Sequence, residues 1–421
     1  MVKVQKSAHK SLVRRLNMSL ILGYLRTSDR RTRASLAAST GLTRATVSTL
    51  VDELIALNLV RETGLQHSQG GRPATRLELN PEGGCVIGIE IGVGFIAAAL
   101  TDFIANIRWR DRVELDTSDP AKTVSIAEKL ALEAEHRGRA LSLKVLGIGL
   151  VLPGLIKTDE GRLKFAPNLG WHDMPFQEMW EKRFGVPVHV VNDGNAAALG
   201  EHYFGVAAGY HDFIFINAAV GIGAGIMIDG KLFQGVEGYA GEVGHMVIDP
   251  GGALCPCGRR GCWEKAAGIQ ALLKYVIDAV RSGRFSRAWE LAEGKANKLT
   301  PDMIAQAAAE GDPLASEAIT RITNLFGIGV MNLINTFNPQ LIVIGGSLSR
   351  VIEPFLPIVE SVVSEQSFRT LTDKVVIKIS SLGDDACLMG AVAAVLDTVF
   401  ADPAQRSEKA QQQFPAISLK A

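Results

Sequence analysis

Ten residues after His245 comes Cys255-Pro-Cys257-Gly-Arg-Arg-Gly-Cys262, three thiols within eight residues broken by proline and glycine turns. One imidazole and three thiolates make a tetrahedral donor set suited to Zn2+, and four protein ligands leave no open position for water or substrate. Such a site is structural, cross-linking a loop that has little core of its own. The competing reading is reduced thiols without a metal. Polar groups of another kind surround this loop. Glu242-Val-Gly-His245 puts a carboxylate one turn from the histidine, and Glu264 lies two residues past Cys262, so the metal loop also fixes its position. Asn192-Asp193 ends an apolar strand and opens a helix, and Asn168 sits in Pro167-Asn168-Leu169-Gly170-Trp171. Amides and carboxylates converging in one pocket suit a polyhydroxylated ligand, because each hydroxyl both donates and accepts. Asp193 also has the chemistry of a general base toward a hydroxyl. Taken singly, each of these residues reads as a cap or a surface group, and Asn192-Asp193-Gly194-Asn195 as a plain capping turn.

Glycine loops supply a third element. Glu90-Ile-Gly92-Val-Gly94 joins two apolar strands, Ala219-Val-Gly221-Ile-Gly223-Ala-Gly225 begins another hairpin, and Ile344-Gly345-Gly346-Ser347 ends a late strand. Backbone N–H groups in such turns can cradle phosphate. They are weak signals alone, since turns in a two-lobed α/β protein need glycine anyway.

Alternating strands and helices must position these groups. Hydrophobic patterning predicts strands over 85–90, 96–101, 108–115, 144–150, 188–191, 212–217, 223–228, 340–344 and 375–380. Helices are expected over 118–139, 196–204, 269–281, 301–310, 312–337 and 386–399. The body is therefore α/β with two lobes.

The first 80 residues differ in charge and pattern. They hold 13 Lys/Arg against five acids, a net +8 that the remaining 341 residues balance with −8. Such asymmetry points to a basic module for a polyanion attached to a mildly acidic body, the alternative being a solvated basic face. Leu12, Leu16, Leu20, Ile21 and Leu25 recur at helical spacing, and a second short helix spans 33–40 with Leu36 and Ala37 inward. Gly41 supplies a tight turn and Leu42 an apolar plug. Thr43 is an N-cap for a third helix, whose core face is Val47, Leu50, Val51, Leu54 and Leu57. Its other face carries Arg44, Ala45, Thr46, Ser48 and Thr49, short polar groups for base edges and one cation for phosphate or guanine. Strands over 59–63 and 75–79 flank a loop with Gly70, Gly71, Arg72 and Pro73. This is the pattern of a winged helix-turn-helix, with Arg72 shaped for a minor groove. Arg33, Thr43, Arg44, Thr46, Ser48, Thr49 and Arg72 are the expected DNA contacts. A three-helix oligomerisation module is the competing reading.

No apolar run reaches the roughly 18 residues of a membrane span; the longest candidate, 85–100, carries Glu90, Gly88, Gly92 and Gly94. Five cysteines do not make a disulfide scaffold, and the odd count suits reduced thiols in a cytoplasm. No signal peptide is expected. Asn80-Pro81-Glu82-Gly83-Gly84 reads as a linker. The expected organisation is 1–80 as the DNA-binding domain, 81–192 with 384–400 as a smaller lobe, 193–383 as a larger lobe with the metal loop and dimer helices, and 401–421 as a flexible tail.

The order Gly71-Arg72-Pro73, Asn192-Asp193-Gly194-Asn195-Ala-Ala-Ala-Leu-Gly200-Glu201, Gly241-Glu242-Val-Gly-His245 and Cys255-x-Cys257-Gly-x-x-Gly-Cys262-x-Glu264 resembles the ROK family. More narrowly it is similar to the family's repressor branch, such as the xylose and N-acetylglucosamine repressors. The resemblance covers nearly the whole chain. It implies an actin-like (ribonuclease-H-like) two-lobed sugar-kinase fold preceded by a winged helix-turn-helix. It also implies structural Zn2+ on His245, Cys255, Cys257 and Cys262. By the same resemblance, a sugar would contact Asn168, Asn192, Asp193, Glu242, His245 and Glu264, with His245 holding metal through one ring nitrogen and facing the sugar with the other.

Departures from the family pattern separate regulator from kinase. Active members carry Asp-x-Gly-x-Thr where this chain has Glu90-Ile-Gly92-Val-Gly94, and Gly-Thr-Gly-x-Gly where it has Ala219-Val220-Gly221-Ile222-Gly223. Phosphoryl transfer depends on positioning and charge neutralisation at the γ-phosphate, so two altered loops should remove it. The expectation is a cytoplasmic, sugar-responsive repressor, a homodimer or tetramer on operator DNA with a monosaccharide effector and Asp193 as a vestigial base. The alternatives are an ATP-dependent sugar kinase that also binds DNA, and a ligand-independent DNA-binding protein with a relict sugar lobe.

Overall fold

The computed structural model describes residues 2–27, 31–66, 74–366 and 374–403. The chain opens with helices α1 (Val2–Arg26), α2 (Arg33–Thr40) and α3 (Arg44–Ala56), with strands β1 (Arg31–Thr32), β2 (Val60–Gln66) and β3 (Ala74–Leu79) forming one small sheet in the order β1-β3-β2. Local chemistry sets each boundary of this winged helix. Thr32 and Ser35 form a reciprocal capping box at the start of α2, and Gly41, at φ 71°, ends it in the left-handed conformation that glycine adopts without strain. Thr43 caps α3 by accepting from the Thr46 N–H.

Of the periodic leucines in α1, only Ile21 and Leu25 are buried, beside Met18 and Leu22; Leu12, Leu16 and Leu20 stay exposed with Val13. The wing tip, with Gly70, Gly71, Arg72 and Pro73, lies outside the described residues.

The body holds two five-stranded sheets. The first uses β4 (Cys85–Gly92), β5 (Phe95–Asp102), β6 (Ile107–Glu114), β7 (Val145–Leu152) and β11 (Val188–Asn192) in the order β11-β7-β4-β5-β6. Between β7 and β11 lies a small sheet of β8 (Leu155–Lys157), β9 (Arg162–Ala166) and β10 (Trp171–Met174). The second large sheet uses β12 (Phe213–Ala218), β13 (Ile222–Ile228), β14 (Lys231–Leu232), β15 (Leu341–Gly345) and β16 (Val376–Ile379) in the order β14-β13-β12-β15-β16. Each sheet has the same plan: its first strand is central, pairs antiparallel with the second and parallel with the fourth. The two lobes therefore repeat one topology, the actin-like arrangement, with different sequences. The central strands are apolar on both faces, as parallel strands covered by helices must be; every residue of β4 is buried.

Helices α4 (Pro120–Ala140) and α5 (Phe176–Phe184) cover the first lobe. The second carries α7 (Trp263–Ala267), α8 (Ile269–Arg281), α9 (Arg287–Leu291), α10 (Pro301–Ala309), α11 (Pro313–Phe337), α12 (Ser349–Ile352) and α13 (Leu356–Gln366). Two helices lie between the lobes: α6 (Asp193–Phe204) and α14 (Ala386–Ala401). Glycines let them approach closely. A Cβ on Gly390 would stand 1.7 Å from the Ala196 carbonyl oxygen, one on Gly200 2.5 Å from that of Ala386, and one on Gly149 of β7 2.0 Å from that of Ala391.

The turn at 80–84 is no free tether. Asn80 is buried, its amide donates to the Asn58 carbonyl and side chain at 3.1 and 2.7 Å, and Gly83 sits against the Asn58 carbonyl and the Phe103 ring. One apolar cluster runs from Ile21, Leu22 and Leu25 through Phe103 to Val395, Leu396 and Phe400, joining the winged helix to the first lobe and α14. The tail expected from 401 is anchored at its start: Ala401 ends α14, the Asp402 carboxylate accepts from Arg15 at 2.7 Å, and Pro403 is buried. The remainder of that tail lies outside the described residues.

Candidate functional site

Asn192 is the last residue of β11 and the N-cap of α6. Its Oδ1 accepts from the Gly194 and Asn195 N–H groups at 2.9 and 3.3 Å, while its Nδ2 donates to the Gly154 carbonyl at 3.0 Å. The capping reading is thus correct for Asn192, and the same bonds tie the start of α6 to the Pro153-Gly154 turn. Asp193 follows as the first helical residue. One carboxylate oxygen accepts from the Gly194 N–H at 2.9 Å and the other from Asn217 Nδ2 at 3.1 Å. Burial pushes its carboxyl up to about 6, against the lowering effect of those hydrogen bonds.

Asn217 was not singled out from the sequence. It is the last but one residue of β12 in the second lobe and is buried, and a Cβ on Gly346 would lie 2.8 Å from its Oδ1, so the Gly345-Gly346 turn closes over it. An amide in the otherwise apolar run Phe213–Ala218 was the available signal.

The segment Gly241-Glu242-Val243-Gly244-His245 lies flat on β13 because its glycines lack side chains: a Cβ on Gly241 would stand 2.0 Å from the Ala224 carbonyl oxygen, and one on Gly244 2.0 Å from that of Ile222. This places His245 with its two ring nitrogens facing opposite ways. Nδ1 is 3.7 Å from Cys255 Sγ, and Nε2 is 4.0 Å from Glu242 Oε2. Cys257 Sγ and Cys262 Sγ are 3.5 Å apart, and one ligand atom from each of His245, Cys255, Cys257 and Cys262 lies within 4.8 Å of the others. Four tetrahedral ligands with metal–sulfur bonds of about 2.3 Å have their sulfurs about 3.8 Å apart. The donor set and its spacing therefore suit a tetrahedral metal ion. Glu264, on α7 directly after Cys262, has Oε1 3.3 Å from Cys255 Sγ and 3.9 Å from His245 Nδ1.

The side chains expected at the sugar come from both lobes. Glu264 Oε2 and Asn168 Nδ2 lie 3.0 and 3.9 Å from the point where a Cβ on Gly221 would stand, so both flank the β12–β13 loop. Asn168 is exposed on the β9–β10 turn. Glu242 keeps part of its side chain exposed; its partial burial, and then the negative charge of Asp193, raise its carboxyl above the usual range. Asn168 of the first lobe thus faces Glu264 and the β12–β13 loop of the second across an interlobe cleft, His245 lies beside Glu264 and Glu242, and Asn192 caps the helix that Asp193 starts.

The two glycine loops meet the cleft differently. Glu90 is buried, and burial followed by the charge of Asp193 pushes its carboxyl up to about 8. Among the described residues its Oε2 has no hydrogen-bond partner. Beside it the Cys387 thiol meets the Asp193 carbonyl at 3.5 Å. The Phe95 ring lies where a Cβ on Gly92 would approach it to 2.2 Å, and the Arg112 guanidinium covers that ring at 3.6 Å. In the second loop Val220 points into solvent.

At the winged helix, α3 is exposed at Arg44, Ala45 and Thr49. Thr43 Oγ1 bonds Thr46 Oγ1 at 2.9 Å, and Thr49 Oγ1 donates to the Ala45 carbonyl at 3.1 Å, which aligns these hydroxyls along one face. Arg33 and Ser48 have another task. The Arg33 guanidinium bonds the Ser48 carbonyl and hydroxyl, both at 3.1 Å, and pairs with Asp52 at 2.7 Å and Glu62 at 2.9 Å, so it braces α3 against β2 and has its donors spent inside the module.

The fold and the site define a two-lobed protein of the sugar-kinase class with a winged helix in front. The family model described as ROK family matches residues 86–398, and the chain belongs to that family. It is 34% identical over 396 residues to the xylose repressor of Caldicellulosiruptor bescii, covering 93% of this chain and 98% of that one. Among solved structures, it is similar to a ROK family transcriptional regulator described as a homologue of the Escherichia coli MLC protein, with TM-score 0.82, 28% identity, and coverage of 95% of this chain and 99% of that one. A ROK family glucokinase from Streptomyces griseus, solved with glucose and AMPPNP, matches with TM-score 0.62 and 31% identity over 73% of this chain and 98% of its own. Among the described residues, no helix is long and apolar enough to cross a membrane.

Proposed function

We propose that this protein is a sugar-responsive transcriptional repressor that does not transfer phosphate. The observation that carries the reading is the contrast within one cleft: acceptors for hydroxyls are assembled around a metal-ligand cluster, while the first loop that would hold phosphate is packed with Phe95 beside a buried Glu90 and the second carries Val220 in place of a hydroxyl. A winged helix with an exposed polar face on α3 stands in the same chain. We assign Asn168, Asp193, Glu242, His245 and Glu264 to the sugar, with Asn192 positioning them. Zn2+ would be held by His245 Nδ1 and the thiolates of Cys255, Cys257 and Cys262, supplying a structural cross-link. That leaves His245 Nε2 and Glu264 aimed at the ligand. Operator DNA would meet Arg44, Thr46 and Thr49, with Thr43 as the cap and Arg72 at the wing. The domain division we adopt is 1–80, then 81–192 with 384–400, then 193–383.

A homodimer or tetramer in the cytoplasm fits this reading, and the exposed Leu12, Val13, Leu16 and Leu20 of α1 give a second copy an apolar face to meet. The effector is a monosaccharide or derivative, and the similarity to xylose repressors puts xylose first in the series to try. Sugar must favour the conformation that releases DNA: moving the balance from 1:99 to 99:1 takes a preference of about 5.5 kcal/mol. A gel-shift titration of operator complex against xylose, glucose and N-acetylglucosamine tests this. Release by one of them is expected; no effect from any would overturn induction.

A second reading has one observation in its favour. Asp193, with its carboxyl raised to about 6, is suited to accept a hydroxyl proton. ATP-dependent phosphorylation of a hexose, lost in Asp193→Asn, would establish a DNA-binding kinase.

A further inference from the structure

Helix α6 begins at the cleft and ends against the DNA-binding module. Asn192 caps it and Asp193 starts it; Tyr203 and Phe204 end it. Its 12 residues span about 18 Å at 1.5 Å per residue. At the far end the guanidinium of Arg26, the last residue of α1, sits over the Tyr203 ring at 3.9 Å from its centroid. The Tyr203 hydroxyl donates to Asp397 of α14. Tyr203 and Phe204 pack against the apolar cluster that contains Ile21, Leu22 and Leu25 of α1.

We propose that α6 is the rod through which the cleft acts on the winged helix, and that Tyr203 couples its far end to Arg26. The proposal rests on the reading that the cleft binds a sugar. Three features suit α6 to this role. Its first residue, Asp193, is one of the groups assigned to the ligand, so a ligand that pulls on Asp193 moves the helix start. The Gly390 and Gly200 contacts leave no slack between α6 and α14, so the two helices move together. A cavity of about 530 Å³ adjoins the far end, lined by Leu199, His202, Tyr203, Lys231 and Asp397 among others, and gives that end room to shift. A packed core would resist the same displacement. The cation–π contact joins the rod to α1 without a covalent link, and α1 carries the core of the DNA-binding module.

The test uses the full-length, metal-loaded protein, with sugar affinity measured by calorimetry and operator affinity by fluorescence anisotropy, with and without saturating sugar. In Tyr203→Leu and Arg26→Gln, sugar affinity and sugar-free operator affinity should stay within about threefold of the parent. The factor by which sugar weakens operator binding should fall about tenfold, within the usual range of coupling between sites. Tyr203→Phe keeps the ring beneath Arg26 and should keep most of the coupling. An unchanged coupling factor in both Tyr203→Leu and Arg26→Gln overturns the proposal, as does equal loss in the Phe and Leu variants, which would place the effect in the hydroxyl. A sugar-independent arm separates this from failure of the sugar reading. Asn192→Ala loosens the start of α6, and its effect on operator affinity should be at least about threefold smaller in the Tyr203→Leu background than in the parent; strict additivity refutes the rod whether or not a sugar binds.

Discussion

The two ends of the interlobe cleft have diverged. At one end, His245, Glu242 and Glu264 are held by a metal-ligand loop and by glycines that press the Gly241–His245 segment onto β13. At the other, the position of a phosphate-loop carboxylate is taken by the buried Glu90, and the adjoining turn is packed with the Phe95 ring under Arg112. Both ends are built on the same strand plan, repeated in the two lobes, so the difference lies in side chains and not in topology. Hydroxyl recognition needs acceptors in fixed places. Phosphate transfer also needs charge at the γ-phosphate and open backbone N–H groups to hold it. In the proposed regulator, burying and neutralising one carboxylate and filling one turn would remove the second capacity and leave the first.

Stripping the metal, or replacing Cys257 by Ser, should have the largest effect: the loop from Val247 to Glu264 loses its cross-link, and calorimetric sugar binding should disappear. Operator binding in the absence of sugar should survive, since the apolar cluster under the winged helix includes no residue of the metal loop. Loss of both together would mean that the loop is needed for the whole fold. Next in size, Glu242→Ala removes a charged acceptor from the ligand and should weaken sugar binding by about a hundredfold, at roughly 1.5–3 kcal/mol for a hydrogen bond to a charged group. Anisotropy should find operator affinity unchanged. Arg44→Ala should cost the operator complex about tenfold, and a flatter salt dependence would assign Arg44 to phosphate over base edges.

The Glu90 carboxyl gives a subtler pH effect. With its carboxyl raised to about 8 in the folded chain, the native state keeps a proton that the unfolded state releases above its ordinary range near 4.5. Stability from this group is therefore full at acid pH and falls as pH rises through the window between those values. Glu90→Gln should raise the thermal midpoint more at pH 8 than at pH 5. An equal shift at both would mean the acid is ionised in the fold. Smallest of all, Val220→Thr restores a hydroxyl to the second loop and should bring no ATP turnover, because Glu90 and Phe95 still occupy the first. Measurable turnover would locate the whole loss of chemistry in the second loop.

Much of this arrangement was legible in the chain. The boundaries of α2 and α8 follow from hydrophobic spacing and from glycine or serine at their ends, and the Cys3His set from ligand spacing alone. What escaped depends on contacts distant in sequence. Asn217 reaches Asp193 across 24 residues from the end of β12, and Arg33, expected at DNA, pairs with Asp52 and Glu62. The strands β8 to β10 are short, with little periodicity to detect. Leu12, Leu16 and Leu20 have core-like spacing yet face outward, because periodicity marks an apolar stripe without saying what covers it.

The most direct test is calorimetry on one metal-loaded sample, titrated first with the sugar that releases operator and then with Mg·ATP. Heat from the sugar and none from the nucleotide, with the sugar recovered unphosphorylated, is the expected result. Saturable nucleotide heat that depends on the bound sugar, or a phosphorylated product, would contradict the division of the cleft.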